Sequence, residues 1–450
     1  MSTIYREAHL TIIAAAGNGP THGLPGVEPC RRPRHPFRHE LVGSLRLPAF
    51  PTAAYSANKH LENINDSAWA SRAWTFQEAM FSRRRLIFTE GQIVFNCNTT
   101  MCFEWPLVQE NMRRDFVWSS AGVFEDSSDH VCAIVTQYCT RQLSYEDDAL
   151  NAIVSTLNFI QKSDECHIWG VPFHVLDQGE ADKLWRLSVR SPSTPRPSTC
   201  DERPVELYLQ WTNESGGSRT RRQQFPSWSP LGWNPGKIQF SDNKARRYQG
   251  FVSVSTPSGQ KCLSTQTRLA KENPAQISPR ISLVLKTAPA YIYKTASDSM
   301  RDQVVVPLDE DILVKIKFIK WDRPVDVETE CELKIAQVDD LGKDFGFLIL
   351  HKHTDCYERI GCCSSDWKSL RVYQSINEQW QECNMLRSGN CQRLLSVTGL
   401  HTSVKDRTPS FLRRVSKVFQ RSWTGSLYID TFDVWKLMHT SLREEQVILR

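Results

Sequence analysis

A chain of 450 residues, 40% hydrophobic and 23% charged, has material for two or three globular domains with sizeable cores. Its formal net charge of +5 is small for that length and gives no sign of nucleic-acid binding. No apolar run nears the roughly 20 residues of a bilayer span, and fourteen scattered cysteines fit a reducing, cytoplasmic compartment better than a disulfide framework.

The chain opens on the end of a helix at residues 4–9 and a strand at residues 10–16 (LTIIAAA). Arg6, Glu7 and His9 precede that run and no basic n-region does, so it reads as a buried strand and not as a signal peptide. Gly17-Asn18-Gly19-Pro20 and Gly23-Leu24-Pro25-Gly26 are loop chemistry. A strand running into a glycine-rich loop can cradle a phosphate, but no Gly-x-Gly-x-x-Gly and no Lys-Ser/Thr follows. Residues 28–65 read as a spacer, basic and Pro-broken over residues 30–39.

The densest run of signals is residues 69–97, WASRAWTFQEAMFSRRRLIFTEGQIVFNC. Thr75 and Glu78 have capping-box spacing, which predicts a short helix opening near Thr75 with Phe76 and Met80 facing the core. Arg83, Arg84 and Arg85 would suit its C-terminal end. Two β-prone runs around Glu90-Gly91 predict a hairpin buried on both faces.

Residues 98–129 read as irregular. A helix is predicted at residues 131–138, with Val131, Ile134, Val135 and Tyr138 on one face. A longer one is predicted at residues 145–162, with Leu150, Ile153, Val154, Leu157 and Ile160 at helical spacing behind an acidic first turn. Residues 167–173, 184–185 and 225–233 mix aromatics with Gly and Pro, as packed loops do; a base- or sugar-stacking site is the alternative. Residues 191–204 and 213–224 read as linkers. From residue 240 short β-prone runs dominate, which predicts a β-rich C-terminal domain of sandwich type. Residues 411–421 (FLRRVSKVFQR) read as a basic amphipathic helix, expected to pack on that sheet or, alternatively, to lie on an anionic membrane.

Three sets of residues carry a resemblance. The first is Ile4, Tyr5, Ala8, Leu10, Thr11, Ile12, Ala14, Ala15, Ala16 and then Gly23, Leu24, Pro25 and Gly26. The second is Arg72, Trp74, Thr75, Gln77, Glu78, Ser82 and Arg83, with Ala73 where Gly is usual. The third runs through Leu143, Tyr145, residues 148–152, Trp169, Gly170, Pro172, Leu184, Trp185, Arg221, Arg222 and residues 225–233. Together they resemble fungal heterokaryon-incompatibility (HET) proteins over about 230 residues. Family members carry Ser-Tyr-x-Trp-Gly and Trp-Ile-Asp-x-x-Cys-Ile-x-Gln motifs upstream, and this chain has neither. The expectation is a HET domain without its front half, with an exposed sheet edge and an uncovered apolar face.

The resemblance implies an α/β fold, the C-terminal part of a TIR-like, flavodoxin-like HET domain, followed by a helical segment and a β-rich domain. The boundaries expected are 1–105, 125–190 and 205–450. It implies self/non-self recognition linked to programmed cell death, through protein partners (self-association or an incompatibility factor), and inactivity if the domain is truncated. The alternative it carries is a TIR-type enzyme with NAD as substrate, a ligand then sitting at the carboxyl ends of the parallel strands. Otherwise no cofactor is expected.

Glu78 is the candidate acid for glycosidic cleavage; capping alone also explains its position. His351, His353, Cys356, Cys362 and Cys363 fall within thirteen residues but match no common zinc spacing, so no metal site is expected. There is no nucleophile elbow, Walker loop or His-Glu-x-x-His.

Overall fold

The computed structural model describes residues 2–27, 38–49, 64–104, 130–160, 165–182, 203–214, 220–241, 247–267, 276–293, 303–309, 312–316, 319–323, 325, 333–338, 345–365, 370–376, 379–386, 427–430, 438 and 441–450. The helix expected at 411–421 lies outside them, as do most of the linker at 191–204 and the Leu184-Trp185 pair. Two compact units divide the chain: Met1–Lys162 with Pro235–Lys237, and Ser163–Asn234 with Ile238–Arg450.

In the first unit, helix α1 (Ser2–Glu7) leads into strand β1 (Thr11–Ala14). The expected spacer contains a hairpin, β2 (Arg38–Val42) and β3 (Leu45–Ala49). Helix α2 (Trp74–Phe81) then runs into β4 (Arg84–Phe88), β5 (Ile93–Cys97) and β6 (Met101–Phe103). β6 puts a strand inside the stretch read as irregular. The sheet order is β1-β4-β5-β6, with β1 and β4 parallel and the other pairs antiparallel. Helices α3 (His130–Tyr138) and α4 (Asn151–Ile160) complete the unit. Val131, Ile134, Val135 and Tyr138 are all buried, as their spacing predicts.

Four expectations fail locally. The capping box does not form: α2 starts a residue before Thr75, with Ala73 as N-cap at φ −65, so Thr75 already lies within the helix. The same φ shows that this position needs no glycine. Second, the arginine cluster does not end the helix, because Arg84 and Arg85 open β4. Arg85, 1% exposed, instead reaches back to donate to the Ala79 carbonyl at 2.7 Å. Burial pushes its guanidinium down to about 10. Third, the hairpin is fully closed on one face only, although Phe88 on the other face is buried. Ile13, Ile87 and Val94 share a core with Ala15 and Ile64, whereas Leu86 and Phe95 are half-buried and Ile12 is 59% exposed. Fourth, the helix expected from Tyr145 begins as a 3-10 turn, Glu146–Ala149, in which Asp148 N–H donates to the Tyr145 carbonyl at 3.1 Å, and at its end the Tyr138 hydroxyl donates to the Ala149 carbonyl at 2.8 Å.

The second unit is strand-rich. Strands β7 (Glu165–Ile168), β8 (Val171–Val175), β9 (Val205–Leu207) and β12 (Tyr248–Gly250) form one sheet, and β10 (Trp211–Asn213) pairs with β11 (Ile238–Phe240). Residues 167–173 are therefore largely strand, not loop. Residues 225–233 do form a packed loop. Trp211, Trp228 and Trp233 are buried, and each indole N–H donates to a backbone carbonyl at 3.0–3.1 Å. With rings and donors committed, this loop has no face left for stacking a base or sugar.

The largest sheet is organised on β15 (Ile281–Tyr293). Its first half pairs with β13 (Val252–Thr256) and β25 (Arg443–Leu449), its middle with β19 (Leu333–Gln337), and its end with β16 (Gln303–Asp309). Beyond β19 come β20 (Phe345–Lys352), β21 (Tyr357–Ser365) and β18 (Lys320–Trp321); beyond β16 come β17 (Ile312–Ile316), β22 (Leu370–Ile376), β23 (Gln379–Leu386) and β24 (Leu427–Asp430), while β14 (Gly259–Cys262) pairs with β13. Alternate residues from both arms, among them Val304, Val314, Ile335, Phe347 and Val372, enter one core, so the sheet folds over on itself. No helix among the described residues is long and apolar enough to cross a membrane.

Candidate functional site

A parallel strand pair delivers its following loops to one end of the sheet, and that is where the first unit opens. Thr11–Ala14 of β1 lie in register with Arg85–Phe88 of β4, and Ala15 N–H extends the pairing to the Phe88 carbonyl at 2.9 Å. At the carboxyl ends lies a cleft of about 720 Å³, lined by the loop after β1, the turn after β4 and residues 66–68. Its polar lining includes Asn18, Thr21, His22, Asp66, Ser67 and Glu90.

The loop after β1 is shaped by Gly17, whose φ of +69 favours glycine and where a Cβ would lie 2.1 Å from the His22 ring. A 3-10 turn at Pro20–His22 brings that ring back. On the other side, the Thr89 hydroxyl donates to the Gln92 carbonyl at 2.8 Å and accepts from Gln92 N–H at 3.1 Å, which fixes the turn carrying Glu90. Glu90 Oε1 accepts from Gly17 N–H at 3.0 Å and lies 3.1 Å from His22 Nε2. Glu90 is 60% exposed and His22 14%, so a carboxylate oriented by an amide and an imidazole faces solvent in the cleft. Across from it, the Ser67 hydroxyl donates to the Ile64 carbonyl at 2.6 Å and accepts from Ala70 N–H at 3.1 Å. Carboxylates and hydroxyls lining one cleft suit a polyhydroxylated ligand, and an oriented carboxylate can exchange a proton or face a developing positive charge.

The motif residues lie elsewhere and hold the helix. The Thr75 hydroxyl sits 2.6 Å from the Trp69 carbonyl and 2.7 Å from that of Arg72, and accepts from Arg141 at 3.1 Å. Arg141 also donates to the Arg72 carbonyl at 3.0 Å, and its guanidinium lies 4.8 Å from the Phe76 ring centre. Burial pushes that guanidinium down to about 9. Trp74 Nε1 donates to Asp148 at 3.3 Å and Gln77 Nε2 to the Asn151 carbonyl at 3.0 Å. The Ser82 hydroxyl meets the Glu78 carbonyl at 2.6 Å and the Thr11 hydroxyl at 2.7 Å. Arg83 is exposed. Gly23 takes φ +72 beyond the 3-10 turn, and Leu24 is half-buried.

Glu78 is not part of the cleft lining. Its carboxylate accepts from Trp69 Nε1 at 3.4 Å and from the Tyr5 hydroxyl. Burial, then the Glu78 charge, push the Tyr5 phenol up to about 12. The structure thus brings Trp74, Thr75, Gln77 and Ser82 together as a brace, and the polar lining of the cleft comes from other residues. Sequence reasoning passed over Glu90 and His22; the one signal available was that both flank the loops of a β-prone run.

No curated protein and no solved structure matches the chain. A family model does, over α1, β1, its loop and α2 as far as Glu78; the turn that carries Glu90 lies beyond the match. Residues 1–78 match Heterokaryon incompatibility protein (HET), the family that the motif residues point to.

Proposed function

We propose that this chain acts in heterokaryon incompatibility as a self/non-self recognition factor whose engagement leads to programmed cell death, through contacts with a protein partner or a second copy of itself. The HET match over residues 1–78 is the observation that carries this reading. The parallel pair β1–β4, with loops converging at its carboxyl ends, supports a TIR-like, flavodoxin-like origin for the sheet.

A second reading, cleavage of NAD, is favoured by the cleft itself. A carboxylate at the carboxyl end of parallel strands can stabilise the oxocarbenium-like state of a breaking N-glycosidic bond. Glu90, which faces solvent there, fits that role better than Glu78, which is held by Trp69 and Tyr5.

The test is inducible expression of the full chain in a filamentous fungus, with growth and cellular NAD followed together. Growth arrest at unchanged NAD supports the interaction reading. Arrest with NAD depletion, both abolished by Glu90→Gln, supports the enzymatic one. Unaltered growth, with a protein that stays monomeric in size-exclusion chromatography, overturns both.

A further inference from the structure

One cluster in the second unit combines three side chains of metal-ligand type. His351 lies in β20 and His353 one residue past its end, where His353 N–H still pairs with the Cys356 carbonyl at 2.8 Å, so both imidazoles leave the same face of the hairpin. The β20–β21 register sets Glu358 directly opposite His351. One ligand atom from each of the three lies within 4.8 Å of the others. His353 Nε2 is 3.3 Å from Glu358 Oε2, and the two histidine rings meet edge to face with centres 4.9 Å apart. In a tetrahedral zinc site with bonds of about 2.0–2.1 Å, ligand atoms are about 3.3 Å apart. The His353–Glu358 pair already has that separation.

The neighbouring cysteines drop out. Cys356, Cys362 and Cys363 are all buried. Burial pushes the Cys356 thiol up, the Cys362 thiol up to about 11, and the Cys363 thiol higher still, away from the thiolate a metal needs. Glu358 takes their place. Burial pushes its carboxyl up, but Arg323, His353 and Arg221 more than offset this and hold it below the usual range.

The two arginines act differently. Arg221 Nε lies 3.4 Å from Oε1, where it orients the carboxylate from the side away from His353. Arg323 lies 3.2 Å from Oε2, the oxygen that also faces His353. It therefore competes with a cation for that oxygen.

We propose that His351, His353 and Glu358 form a three-ligand site for a first-row divalent cation, zinc being the best match, with Arg323 in competition for the carboxylate. Two imidazoles and one carboxylate are borderline ligands that suit zinc, and three protein ligands leave a fourth position for water.

The experiment uses the full chain, stripped with chelator. Zinc is titrated in by calorimetry, and cobalt(II) is followed by its visible absorption. One ion per chain is expected, with the intense visible bands of four-coordinate cobalt. His353 is 38% exposed, so His353→Ala leaves the fold intact, as circular dichroism would verify, and should weaken binding by about tenfold or more. His351→Ala should do the same, and Arg323→Gln should tighten binding. No stoichiometric binding at micromolar zinc, or an affinity indifferent to both histidine variants, overturns the site. Arg323→Gln binding no tighter than the natural chain overturns the competition.

Discussion

The brace around helix α2 and the cleft beside it are built from opposite materials. In the brace, Thr75, Gln77 and Ser82 are 1–2% exposed, and the two hydroxyls and the Gln77 amide N–H all meet backbone carbonyls. In the cleft, Glu90 and Asp66 are exposed, and loops shape the wall. A buried polar group left without its partner costs stability, while an exposed one exchanges its partner for water at little cost. Thr75, Gln77 and Ser82, which carry part of the resemblance, are thus held tightly by the fold, and the exposed carboxylates of the cleft, Glu90 and Asp66, are other residues. Mutations on the two sides should separate cleanly.

The largest effect is expected at Arg141. It is 7% exposed and supplies charged hydrogen bonds to the Arg72 carbonyl and the Thr75 hydroxyl. Arg141→Ala removes both and should lower the stability of the first unit by about 3 kcal/mol, taking about 1.5–3 kcal/mol for each hydrogen bond to a charged group and some relaxation. Arg141→Lys should recover part of it: both bonds leave one nitrogen, Nη1, which an ammonium with three donors can imitate, but the planar stacking over Phe76 is lost. Urea unfolding measures both. A loss under about 1 kcal/mol would show that α2 is held by apolar packing alone.

What the sequence made legible follows the range of the interactions. The apolar spacing of Val131, Ile134, Val135 and Tyr138 is a local property, and the helix is there. So are the hairpin around Glu90 and the strand-rich character beyond residue 240. Capping was misjudged because Thr75–Glu78 spacing is only half of the requirement; the helix starts earlier, and Gln142 supplies the carbonyl that Ala73 N–H meets at 2.8 Å. The cleft was illegible for a different reason. Gly17 and Glu90 are 73 residues apart and meet only because β1 and β4 pair in parallel. Glu358 likewise joins His351 and His353 only through the hairpin register, whereas the cysteines, closer to a zinc pattern in sequence, are buried in and around the core.

An intermediate effect is expected where the cleft is most tightly shaped. Gly17→Ala forces a side chain into φ +69 and against the His22 ring, and should cost about 1–2 kcal/mol. Gly19, two residues on in the same loop, has extended backbone at φ −170 and nothing within 4 Å of an added Cβ. Gly19→Ala should change stability by less than about 0.5 kcal/mol. Equal melting temperatures for the two variants would mean that the loop rearranges freely, and that His22 and Glu90 are not held as a pair.

The smallest effect on stability, and the sharpest on function, is expected for Glu90→Gln against Glu78→Gln. Glu90 is largely in solvent, and the amide oxygen of Gln can still accept from Gly17 N–H, so the change should stay within about 0.5 kcal/mol. Glu78 accepts from both Trp69 and Tyr5, and a neutral amide holds those donors less strongly; a loss of about 1 kcal/mol is expected. If growth arrest depends on the cleft, Glu90→Gln should abolish it at nearly full stability, while Glu78→Gln should reduce it only as far as folding is reduced. The reverse pattern, arrest surviving Glu90→Gln and vanishing with Glu78→Gln at equal folded fraction, would move the chemistry from the cleft to the Trp69–Glu78–Tyr5 contact and make the brace itself the working site.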